Sequence, residues 1–227
     1  MTKIAIITAM DSEFASVKTL YDFKGNDLLA TAIAHGKEIV LIKSGMGKVH
    51  AAIAAMRAVN LGADIIINTG LAGGIDRSLN QQDIVLANRV CYHDVWCGEP
   101  NKIGQVQNLP LYYDTSSALL KQIEQAAPQF KVGLVVTGDQ FLTDTTRLKE
   151  IKSTFPDALA VDMESAAIAQ VAYLMHKQFI VLRIISDVVG KEGQLETYEK
   201  FKKNTPQIAA EMVDTTIKAI PTEDILF

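Results

Sequence analysis

The sequence predicts an α/β fold with a mostly parallel sheet. Three observations carry this reading: six short runs nearly continuous in Val, Ile and Leu, helical patterns lying between them, and a 48% hydrophobic content in 227 residues, enough for a substantial core.

In chain order, KIAIITA (3–9) and EIVLIKS (38–44) read as strands covered on both faces. From Val49 the apolar residues Ala52, Ile53, Met56 and Val59 recur at helical spacing. ADIIINTG (63–70) and DIVLANRV (83–90) are the third and fourth strands, and KVGLVVTG (131–138) is the fifth. MESAAIAQVAYLM (163–175) is rich in alanine and leucine and reads as helix. FIVLRIISD (179–187) is the sixth strand, and the segment 195–220 reads as helix with Pro206 as an interruption or restart. Between them, 93–114 has no period but holds Gly, Pro, Asn, Trp96, Tyr112 and Tyr113, as expected of a substrate-site or subunit-contact loop.

The bulk properties exclude several function classes. Net charge is −4 without a block of like charges, which argues against a nucleic-acid partner. The longest apolar runs are far too short to span a bilayer core of ~30 Å. The first residues, MTKIAIITAMDSEF, do not have the make-up of a signal peptide. Cys91 and Cys97 match no zinc or redox spacing, and two free thiols suit a cytoplasmic location. His35, His50, His93 and His176 form no ligand spacing, so neither a metal nor a cofactor is expected.

In an open α/β sheet, ligands bind beyond the carboxyl ends of the strands. Those ends carry MDSE (10–13), GMGK (45–48), GLAGG (70–74), DQFLTD (139–144) and Asp187. Carboxylates and glycine turns therefore gather on one edge, as a small polar ligand would require. SGMGK lacks the phosphate-loop and dinucleotide spacings and reads as a tight strand-to-helix turn. Asp11 and Glu13 read, on their own, as helix-start acids. In AVDMESAAIA (160–169), Asp162 is placed to cap a helix and Glu164 falls on a surface otherwise suited to burial, so Glu164 is expected to be paired or ligand-bound. The stretch VLRIISDVVG (181–190) sets Arg183 inside an apolar run and Asp187 at its end, the placement of a catalytic acid held by a strand.

Six motifs in order, IAIITAMDSE (4–13), KSGMGKVHAA (43–52), IINTGLAGG (66–74), TGDQFL (137–142), AVDMESAAIA (160–169) and RIISD (183–187), resemble those of the 5′-methylthioadenosine/S-adenosylhomocysteine nucleosidases of the nucleoside phosphorylase superfamily. The resemblance runs nearly end to end. It implies one domain over 1–227, with a twisted, mixed, mostly parallel central sheet flanked by helices, and a homodimer. It also implies hydrolysis of the N-glycosidic bond of 5′-methylthioadenosine, S-adenosylhomocysteine and 5′-deoxyadenosine, releasing adenine. In that resemblance Asp187 is the general acid on adenine N7, supported by Ser186, and Glu13 activates the water. Glu164 binds the ribose hydroxyls beside Met163, Phe141 stacks on adenine, and the backbone of Leu142 reads the adenine edge. Arg183 helps hold the water, and Met10, Met46 and Tyr198 line the sugar and 5′-substituent pocket.

The chemistry is coherent on physical grounds. Protonating the purine lets it leave neutral, and a positioned acid contributes ~10²–10⁴-fold. Such an acid must stay protonated near neutral pH, so its niche must be dry. Glu13 and Glu164 offer negative charge to the developing oxocarbenium, the division of labour that glycoside hydrolases use. The chain departs from the family in three places: Leu71 stands where TGSAGG carries serine, VDMES replaces VEMEG or VEMEA, and the segment after Tyr92 differs. The rival readings are a phosphorolytic relative, a futalosine-type nucleosidase and a non-catalytic nucleoside-binding protein on the same fold.

Overall fold

The structure is a computed structural model that describes residues 1–189, 201 and 206–222. The elements run β1 (Lys3–Thr8), α1 (Asp11–Lys18), β2 (Lys24–Gly25), β3 (Leu29–Ala34), β4 (Lys37–Lys43), α2 (Lys48–Asn60), β5 (Ile65–Gly74) and β6 (Ile84–Tyr92). They continue β7 (Tyr113–Asp114), α3 (Ser117–Ala126), β8 (Lys131–Thr137), α4 (Thr145–Thr154), β9 (Ala158–Asp162), α5 (Ser165–Leu174), β10 (Gln178–Val188) and α6 (Pro206–Ala219).

All six predicted strands form, as β1, β4, β5, β6, β8 and β10. Most of their residues are buried because helices cover both faces of the sheet, the exposed start of β8 being the main exception. Four further strands are new. β2 and β7 have only two residues each, and β3 is a partly exposed antiparallel strand beside β4. β9 (ALAVD) leads straight towards an alanine-rich helix, so its composition merges with α5 in the sequence. Of the segment expected as helix over 195–220, Phe201 and Pro206–Ala219 are helical; the other residues before 206, on which the reading of Pro206 as interruption or restart depends, lie outside the described ones.

The sheet is mixed, and its long central pairings are parallel. β1 pairs parallel with β4 and β5, β5 with β10, and β8 with both β6 and β9. β10 pairs antiparallel with β6, and the end of β5 pairs antiparallel with β9 at Gly73 and Gly74. Strands β5, β10, β6, β8 and β9 thus close on themselves, while β1, β4, β3 and β2 form an open wing. The two glycines permit this closure: a Cβ on Gly73 would stand 3.0 Å from Val189 Cγ2, and one on Gly74 3.0 Å from Ile185 Cγ2.

One core layer packs α2 and α5 on the sheet, and a second packs β1, β4 and β5 against α1, α3 and α6. The buried face of α2 is Ala51, Ala54, Ala55 and Ala58, opposite the alanines of α5. The helix expected from Val49 forms as α2, and its larger residues point outward: Ile53 is 63% exposed and Val49 71%. Small residues win the inner face because α2 and α5 approach closely. Among the described residues no helix is long and apolar enough to cross a membrane.

Overpacking this seam is expected to destabilise the protein: Ala55→Leu should cost ~1–3 kcal/mol, read as a lower urea midpoint at unchanged slope. An unchanged midpoint would mean that the seam has room to spare.

Candidate active site

A cleft with about 590 Å³ of open space lies at the carboxyl ends of β1, β5, β9 and β10. Met10, Glu13, Met46, Phe141, Leu142, Met163, Glu164, Ser186 and Asp187 all line it, so nine of the eleven site residues expected from the sequence meet there. Arg183 lies behind the lining, and Tyr198 falls outside the described residues.

Glu13 reaches the cleft from the first turn of α1. Its Oε2 accepts hydrogen bonds from the Ala9 N–H (3.0 Å) and the Met10 N–H (2.9 Å), satisfying amides at the helix start as a glutamate at the third helical position does. Its Oε1 accepts from the Leu71 N–H at 3.0 Å, which ties α1 to β5. A Cβ on Gly70 would stand 2.7 Å from Glu13 Oε1 and 3.3 Å from Arg183 Nη1, so only glycine lets these groups lie against the strand. Burial pushes the Glu13 carboxyl above its ordinary range, opposed by the backbone amides and by the Arg183 charge.

Glu164 stands immediately before α5 and accepts the Gly47 N–H at 2.8 Å, at the start of α2. Burial, reinforced by the Asp162 charge, raises its carboxyl to about 7; Arg183 and the Gly47 amide act the other way. Asp187 is 2% exposed and its Oδ1 accepts the Ser186 hydroxyl at 2.5 Å. The register of β10 against β5 shifts here: Ile185 stands opposite Ala72 and Asp187 opposite Gly73, which leaves Ser186 as the extra residue of a β-bulge. Successive strand residues ordinarily face opposite ways. The bulge lets both Ser186 and Asp187 line the same cleft.

Arg183 is 1% exposed and held by several partners. Its Nε donates to Asp162 Oδ2 at 2.7 Å, and its Nη2 donates to Asn68 Oδ1 and to Ser165 Oγ, the latter at 2.9 Å. Asp162 also accepts the Thr137 hydroxyl at 2.5 Å, the Ser165 hydroxyl, and the Ser165 N–H at 3.2 Å. The expected helix cap is therefore only partly met. Asp162 ends β9, its carboxylate does take the first amide of α5, but its main partner is the guanidinium. Sequence reasoning missed Asn68, Thr137 and Ser165 as members of this network. A polar residue inside the apolar strand 63–70 was the one available signal. It also missed Gln140 at the cleft wall. Leu71 lines the cleft at the position where the resemblance expects serine.

The chain matches the model of the phosphorylase superfamily over residues 3–220. It is 36% identical over 230 residues to a 5′-methylthioadenosine/S-adenosylhomocysteine nucleosidase of Bacillus licheniformis, covering 96% of this chain and 99% of the relative. A crystal structure of an S-adenosylhomocysteine nucleosidase from Streptococcus pyogenes, in complex with 5-methylthiotubericidin, superposes with a TM-score of 0.91 at 33% identity, over 97% of this chain and 98% of that one. A futalosine hydrolase mutant of Helicobacter pylori shares the fold with a TM-score of 0.89 at 25% identity, over 97% and 100% of the two chains.

Two outcomes follow from the electrostatics. The folded protein holds the Glu164 proton more tightly than the unfolded chain does, so this contribution to stability is full below about 4.5 and is lost as pH rises through about 7. From pH 5 to pH 8 the thermal midpoint of the parent should fall relative to Glu164→Gln; parallel curves would remove the effect. Arg183→Met strands a buried carboxylate at Asp162 and should cost ~3–5 kcal/mol in urea unfolding, part of it recovered in Arg183→Met/Asp162→Asn.

Proposed function

Since the chain belongs to the 5′-methylthioadenosine/S-adenosylhomocysteine nucleosidase family, within the phosphorylase superfamily, we propose that its cleft hydrolyses the N-glycosidic bond of these two nucleosides and of 5′-deoxyadenosine. The observation that carries the reading is the convergence of three buried carboxyl groups, Glu13, Glu164 and Asp187, on one cleft.

In this mechanism Asp187 gives its proton to adenine N7 while the C1′–N9 bond breaks, and the Ser186 hydroxyl fixes its orientation. Water adds to C1′ and loses a proton to Glu13, whose position is set by three backbone amides. Glu164 holds the ribose hydroxyls and, with Glu13, offers negative charge to the oxocarbenium. Met163 packs on the sugar, Phe141 stacks on adenine and the Leu142 backbone reads its edge. Met10, Met46 and Tyr198 complete the sugar and 5′-substituent pocket. Arg183 acts from behind Glu13 and favours its ionised form, which helps to hold the water.

Water is favoured over phosphate as the acceptor. Among the described residues lining the cleft there is no lysine or arginine, and three backbone amides that could hold an anion already hold Glu13. Curated relatives at 35–36% identity are named as methylthioadenosine/adenosylhomocysteine nucleosidases, which favours adenine nucleosides.

We place the enzyme in the cytoplasm, as one domain over 1–227 that works as a homodimer without a cofactor. The outward face of α2 supports the dimer: Val49, Ile53 and Met56 form an exposed apolar stripe that a second copy would cover.

Asp187→Asn should lower adenine release ~10²–10⁴-fold while leaving the circular dichroism spectrum unchanged; turnover within a few-fold of the parent removes Asp187 from the acid's role. Glu13→Gln should block turnover yet still bind adenine nucleosides in calorimetry, and a variant that neither binds nor folds would make Glu13 structural. A panel of methylthioadenosine, adenosylhomocysteine, 5′-deoxyadenosine, adenosine and inosine, with and without phosphate, should give free adenine and no ribose 1-phosphate.

A further inference from the structure

We infer that Asp139 is a positioning residue that holds the sugar-binding and base-binding sides of the cleft at a fixed separation, an inference that rests on the nucleosidase reading above. It does so through the first amides of α2. The Gly47 N–H donates to Glu164 Oε1 and the next amide, that of Lys48, donates to Asp139 Oδ1, both at 2.8 Å. Two carboxylates from separate parts of the chain thus share one helix N-terminus, where the exposed N–H groups and the helix dipole favour negative charge.

The two carboxylates serve different halves of the cleft. Glu164 faces the sugar, whereas Asp139 lies two residues before Phe141 and three before Leu142, the base side. A second set of contacts ties this loop down. Asp94 Oδ2 accepts both the Asp139 N–H at 2.9 Å and the Lys48 Nζ at 2.7 Å. Lys48 Nζ in turn lies 5.5 Å from the centre of the Tyr92 ring, whose hydroxyl donates to Gln170 on α5 at 2.6 Å. The close approach needs glycine at position 47, where φ is +92° and a Cβ would stand 3.1 Å from Asp139 Oδ1.

Neither Asp139, Asp94 nor Lys48 lines the cleft, so none of them touches the reacting atoms. Glu13 and Asp187 sit on α1 and β10, and none of the hydrogen bonds of this clamp reaches them. Asp139 bonds the Lys48 amide and not the Gly47 amide that holds Glu164, so its loss leaves the Glu164 charge in place and falls mainly on nucleoside binding.

The test is steady-state adenine release from methylthioadenosine, together with calorimetric binding of adenine. Loss of a capping carboxylate should raise KM about fivefold in Asp139→Ala with kcat within about twofold. Asp139→Asn keeps an oxygen that can accept the Lys48 amide and should stay within about twofold of the parent in both constants. Asp94→Ala should show the same KM-led loss and keeps the proposal testable if Asp139→Ala does not fold. An unchanged KM in Asp139→Ala, a fall in kcat at constant KM, or an Asn variant as impaired as the Ala variant overturns the clamp alone. A parent protein that neither cleaves nor binds these compounds overturns both the clamp and the nucleosidase reading.

Discussion

One buried cation makes the site possible. Glu13, Asp162 and Glu164 lie close together and largely out of water, an arrangement that like-charge repulsion and desolvation would scatter. The Arg183 guanidinium answers all three: it binds Asp162 directly and its charge favours the ionised forms of the other two. Further donors go to Asn68, Ser165 and the Leu182 carbonyl, which hold the charge behind the cleft. An arginine suits this post because its planar fork satisfies several acceptors at once.

The working carboxylates stand on stiff supports. Glu13 is fastened to the turn before α1 and to the β5 backbone, and Asp187 to a strand hydrogen-bonded along both edges. The closed ring of β5, β10, β6, β8 and β9 limits how far these elements can shift relative to one another. Side chains held on strands and helix starts are placed more accurately than those on free loops. The more exposed members of the cleft, Phe141 and Met46, are those assigned to contacts that only need to cover the substrate.

Much of the fold was legible because doubly covered strands are written as nearly continuous aliphatic runs, as in IAII and, around Arg183, IVLRII. What escaped had a physical reason each time. β9 is too short and too rich in alanine to stand apart from α5, and β2 and β7 carry too few residues to show a period. Which face of α2 turns inward was not legible, because size and burial run opposite ways there: alanines face inward while Ile53 and Val49 face out. The site's lining was readable through family motifs, residue by residue. The ion pair beneath it was not, because Arg183 and Asp162 sit on different strands and only the folded sheet brings them together.

The extra residue at Ser186 makes the orientation of Asp187 a matter of counting. Along β10, removing one residue ahead of the acid, or adding one, would exchange odd and even positions and carry its carboxyl to the far side of the sheet, even if every apolar side chain were kept. Sequence drift in this strand is thus free to trade one aliphatic residue for another but not to change its length, and single-codon insertions and deletions should be silent in the surface turns while abolishing activity here.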